Sequence, residues 1–142
     1  GEPAERTDSQ LLSAVAEDLL GWRTTSFHLG AEVSDVELDT PRAGEGELAR
    51  LEAAVAVEVR AARTISARRL PAAEALALPG LRSRGLPEGH SGDVRVVEIA
   101  GVDRNTCGGT HLRSTAEIEC LKLLATEPMR GGTRGLSTMT CV

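Results

Sequence analysis

At 142 residues, with 41% hydrophobic and 26% charged side chains and a net charge of −5, the chain is sized for one domain with its own core. The acidic balance excludes a general, charge-driven nucleic-acid binder, which is normally basic, while leaving room for a local basic patch. No apolar run reaches membrane-spanning length, and the polar N-terminus lacks the apolar stretch of a signal peptide.

Residues 1–8 are polar and read as a poorly ordered N-terminal segment. From Ser9 to Leu20, the residues Leu11, Leu12, Val15, Ala16, Leu19 and Leu20 recur at helical spacing, with Thr7 or Asp8 as cap and Gly21 as stop. Two strand-like runs follow, Trp22–Leu29 and Asp35–Asp39, with Gly30 between them as a hairpin signal. Leu48, Leu51, Val55, Val59 and Ala62 outline a second amphipathic helix. Residues 64–70 suggest a short strand, Ala72–Leu78 a short helix, and Pro79–Gly92 a long loop. Val94, Val96 and Ile99 mark another strand, residues 101–115 another loop, and Ile118–Leu124 a further strand. The tail from Arg130 to Val142 is weakly patterned. Helices and strands mix without regular βαβ alternation. The expected class is therefore α+β: a single domain over residues 9–142, with an antiparallel sheet packed against two main amphipathic helices.

With Trp22 and Phe27 as the only aromatics, that core must be aliphatic. Three cysteines, Cys107, Cys120 and Cys141, are too sparse for a disulfide framework and read as reduced, cytoplasmic usage.

One segment carries chemistry: Cys107-Gly108-Gly109-Thr110-His111. Thiolate and imidazole are preferred zinc ligands, and the two glycines let the backbone bend so that both side chains meet one ion and a ligand can approach the main chain. Spacing alone leaves a second reading open, a buried cysteine beside a loop histidine. Zinc needs three or four protein ligands, and these are two.

The flanks add weight. The run from Arg84 to Thr126, with Thr115-Ala116-Glu117-Ile118 after the CGGTH loop, resembles the C-terminal half of the editing domain of alanyl-tRNA synthetases and AlaX proteins. The segment Thr24-Thr25-Ser26-Phe27-His28-Leu29-Gly30, followed by Val36-Glu37-Leu38-Asp39-Thr40, is similar to the strand pair of that family. The resemblance implies a trans-acting hydrolase that deacylates Ser- or Gly-tRNA(Ala), with the tRNA acceptor end as partner. It also implies a zinc ion held by a His-x-x-x-His helix plus the loop's cysteine and histidine, here Cys107 and His111. Read back from Leu11-Leu12-Ser13-Ala14-Val15, the two helix histidines fall on Arg6 and Gln10. The other histidines are His28 and His90. The alternative reading is therefore a metal-depleted, non-catalytic tRNA-end binder or a truncated relic.

Thr24, Thr25 and Ser26, with Gly108, Gly109 and Thr110, are candidates to line an amino-acid pocket. Hydroxyls there would recognise serine, although threonine is equally a common strand residue. Arg113, Arg130 and Arg134 are candidate phosphate contacts, against the plain alternative of solvated surface. Glu117 is a candidate anchor for the loop.

Overall fold

The computed structural model describes residues 2–30, 32–82, 92–107 and 109–140. His90, Gly108 and Cys141 lie outside them. The architecture is α+β. Two main helices, α1 (Glu2–Leu20) and α2 (Glu45–Arg60), accompany two four-stranded sheets rather than the one expected. The first sheet runs β1 (Thr24–His28), β2 (Ser34–Leu38), β8 (Arg134–Thr140), β7 (Leu121–Pro128) and is antiparallel throughout. The second runs β3 (Ile65–Pro71), β5 (Asp93–Ile99), β6 (Asp103–Thr106), β4 (Leu81–Arg82), with β4 and β6 parallel. A short helix α3 (Ala72–Leu76) follows β3.

The core is aliphatic, as the composition required. Leu11, Leu12, Val15 and Ala16 of α1 meet Leu51, Val55 and Val59 of α2, with Val36, Leu38, Val97, Ile99 and Leu136 from the two sheets. The second helix is capped at its start by Glu47, whose carboxylate accepts from the Gly44 N–H at 3.0 Å. Gly21, at φ 71°, takes the left-handed turn that ends α1.

Further expectations change. The first helix begins at Glu2, not Ser9, so the polar segment expected at residues 1–8 is helical from residue 2, and Thr7 and Asp8 are buried. Part of the loop expected at residues 101–115 is strand β6, and Ile118 closes a 3-10 turn (Thr115–Ile118) before β7 starts at Leu121. The weakly patterned tail is strand β8, paired on both sides by β2 and β7, with Leu136 and Thr138 buried. Threonine on the buried face hid the two-residue alternation. Finally, Cys120 is disulfide-bonded, so among the described cysteines the thiol expectation holds for Cys107, which is free.

Candidate functional site

The loop after β6 is pinned from several sides. Cys107 N–H donates to the Arg95 carbonyl at 3.1 Å, and the Arg95 guanidinium returns to the carbonyls of Cys107, at 3.3 Å, and Gly109. Arg95 was not singled out in the sequence, because one arginine in an apolar strand gives no local signal. Downstream, Thr115 is fully buried and fastens the loop to the end of α2. Its hydroxyl donates to the Glu58 carbonyl at 2.7 Å and accepts from the Arg63 N–H at 2.8 Å. The anchor is thus Thr115, with Ser114 capping the 3-10 turn, whereas Glu117 is exposed.

Within this frame Cys107 and His111 stand together, His111 Nε2 lying 3.2 Å from Cys107 Sγ. The other ring nitrogen, Nδ1, is 3.2 Å from the hydroxyl of Thr7 on α1. That hydroxyl also accepts the Leu112 N–H at 3.0 Å, leaving its own hydrogen for Nδ1. The pattern suits the tautomer with the proton on Nε2, facing the sulfur. Burial, followed by the nearby cations Arg95 and Arg6, pushes the His111 pKa down to about 4.

These residues border a cavity of about 200 Å³. Its other walls come from Arg6, Ser9 and Gln10 of α1, from Phe27 and Leu29, and from Asn105 and Thr106. The two helix positions reached by counting back from Leu11, Arg6 and Gln10, therefore meet Cys107 and His111 around one space. The helix supplies this face because residues 6 and 10 lie one turn apart, and residue 9 adjoins them. Sequence reasoning did not single out Thr7, Ser9, Asn105 and Thr106 as site residues: Thr7 read only as a helix cap, Ser9 as the first residue of a helix, and Asn105 and Thr106 as loop.

Other candidates lie elsewhere. Thr24 Oγ1 donates to Ser13 Oγ at 2.8 Å and Thr25 Oγ1 to the Glu37 carbonyl at 3.3 Å, while Ser26 Oγ is 3.5 Å from His28 Nε2. The cavity wall from this segment is instead Phe27 and Leu29. Thr110 and Arg113 are exposed. Arg134 donates to the Pro41 carbonyl at 3.3 Å, and exposed Arg130 lies in the turn before it. Arg134 pairs with Leu38 and Leu38 with Thr24, so this turn is at the opposite end of the first sheet from Leu29.

The donor set does not fit a tetrahedral zinc centre. Cys107 and His111 supply two ligands, Gln10 offers at best a weak amide oxygen, and Arg6 is a permanent cation that would oppose a dication. Among the described residues no three of His, Cys, Asp and Glu stand together as a metal-ligand group.

The two-helix α+β frame, with the Cys107/His111 loop facing α1 across the cavity, agrees with the resemblance drawn from the sequence. Residues 94–135 match the family described as Threonyl and Alanyl tRNA synthetase second additional domain. The chain is also similar to the alanyl-tRNA editing protein Aarsd1 of Danio rerio, with 37% identity over 123 residues, covering 87% of this chain and 30% of that protein. The Bos taurus protein of the same name is 37% identical over 87% of this chain and 28% of its own length. The alanine-tRNA ligase of Thermoplasma acidophilum is 31% identical over 129 residues, 87% of this chain and 15% of the ligase. The chain thus spans less than a third of the length of these relatives.

Proposed function

We propose that this chain is a trans-acting editing hydrolase that deacylates Ser- or Gly-tRNA(Ala), with the tRNA acceptor end as its partner and the cytoplasm as its place of action. The observation that carries the reading is the meeting of Arg6, Gln10, Cys107 and His111 around one small cavity. It occurs in a chain whose relatives are named as alanyl-tRNA editing proteins. The cavity has room for a small organic group, more than a single water occupies. Its walls mix apolar Phe27 and Leu29 with polar Ser9, Gln10 and Asn105, which suits a small polar aminoacyl group. On this reading the editing domain takes in α1 from its start as well as residues 9–142. Exposed Arg113, two residues beyond His111, is the proposed phosphate contact nearest the loop. Zinc, the metal the family resemblance implies, would use Cys107 and His111. With Arg6 and Gln10 opposite them, no step is assigned to it.

The test is release of serine and glycine from Ser-tRNA(Ala) and Gly-tRNA(Ala), against Ala-tRNA(Ala) as control. Release of the wrong amino acids well above the buffer rate, with alanine retained, is expected. Equal rates with and without protein would sink the hydrolase reading. Arg6 and Gln10 favour a second reading, an acceptor-end binder without turnover. It predicts salt-sensitive tRNA binding with no cleavage.

A further inference from the structure

The α1 wall of the cavity has two features that packing does not explain. The first is Arg6. Its side chain lies across Gly109, where an added Cβ would come within 2.3 Å of Nε, 2.5 Å of Cδ and 2.6 Å of Cζ. Only glycine at position 109 lets this cation rest against the Cys107–His111 loop. No carboxylate lines the cavity among the described residues.

The second feature is a pair of polar atoms without partners. Ser9 and Gln10 are 5% and 3% exposed, both line the cavity, and neither Ser9 Oγ nor Gln10 Oε1 has a hydrogen-bond partner among the described residues. The Gln10 amide is not free to turn. Its Nε2 donates to the Val97 carbonyl at 3.1 Å, and an amide oxygen cannot replace it there. A buried polar atom left unpaired costs about 1–3 kcal/mol, so two in one wall mark a place where something else supplies the partner.

We propose that Arg6 is the permanent cation of this pocket and that the pocket takes its aminoacyl ligand without a metal. The guanidinium receives the carbonyl oxygen of the ligand. Gln10 Oε1 and Ser9 Oγ accept hydrogens from its ammonium or side-chain hydroxyl. Arg6 and Gln10 thus form a hydrogen-bonding site from the positions that the family resemblance assigns to histidine ligands. The ligand class rests on the editing reading. The positive, half-filled hydrogen-bonding wall stands on the geometry.

The experiment uses the full chain and a non-hydrolysable probe, 3′-deoxy-3′-(serylamino)adenosine, titrated calorimetrically with a chelator present and then with zinc added. Zinc content of the purified protein is measured alongside. The expected result is no stoichiometric zinc and equal probe affinity in both buffers. Arg6→Gln should weaken binding by about tenfold or more, as loss of a charge-assisted hydrogen bond does. Arg6→Lys, which keeps the charge, should retain part of it and guards against a folding artefact. Stoichiometric zinc, binding abolished by the chelator, or an Arg6→Gln variant that binds like wild type would each overturn the proposal, as would no probe binding in either buffer. Metal-dependent deacylation of Ser-tRNA(Ala) would overturn it while keeping the editing reading. Arg6-dependent probe binding without deacylation would keep it and remove the hydrolase.

Discussion

The two ends of α1 carry polar clusters of opposite character. At the C-terminal end Arg82 is saturated. Its Nε lies 2.9 Å from Asp103 Oδ1, its Nη2 2.9 Å from Asp18 Oδ1, and its Nη1 meets Glu17. Asp103 is fully buried beneath it. At the N-terminal end Arg6, Ser9 and Gln10 face an open cavity with acceptor atoms unused. The ion pair of Arg82 with buried Asp103 ties β4, β6 and α1 together, its charges answered within the protein. An unsaturated wall of the same helix can only be satisfied from outside. The difference separates a structural polar cluster from a binding one more sharply than residue type does, since each contains an arginine.

Three variants press on that contrast. Arg82→Ala strips a buried carboxylate of its cation and should cost about 3–5 kcal/mol in urea unfolding. Probe affinity in the folded fraction should be unchanged. A loss below about 1 kcal/mol would mean that the cluster is not structural. Thr7→Val keeps shape but leaves the Leu112 N–H and His111 Nδ1 without the hydroxyl, for an expected loss of about 1–3 kcal/mol. Because Thr7 links helix to loop, probe binding should weaken too. A variant as stable and as tight as wild type would show that the helix and loop are coupled through other contacts. Gly109→Ala should change stability by no more than about 1 kcal/mol, because the clash is with a flexible side chain that can swing away. It should nevertheless lower probe affinity as Arg6→Gln does, by displacing the guanidinium. Unchanged affinity would show that the position of Arg6 over the loop is not what the ligand uses.

Much of the fold was legible in the residues. Leu11, Leu12, Val15 and Ala16 announce α1, and Leu51, Val55 and Val59 announce α2, because burying one face of a helix needs apolar residues at that period. Strands β2 and β5 show in the same way through Val36, Leu38, Val94, Val96 and Ile99. Strand β6 did not, because its buried Asp103 and Asn105 are polar. Hydropathy reads such residues as loop until a partner such as Arg82 is seen. Strand β8 was hidden by Gly135, Ser137 and Thr138 and owes its existence to neighbours on both sides.

For the site, the sequence by itself determined the Cys107/His111 loop, its family likeness and the substitution of Arg6 and Gln10 at the matching helix positions. Local spacing suffices for the loop, while the likeness and the two helix positions rest on the family resemblance. Only the tertiary structure decided that residues a hundred apart share one cavity and that Thr7 reaches His111. It also decided that Gly109 makes room for Arg6 and that Ser9 and Gln10 end with unused oxygens. Those facts depend on how α1 is seated against the loop, and that seating is set by the whole core rather than by any stretch of chain.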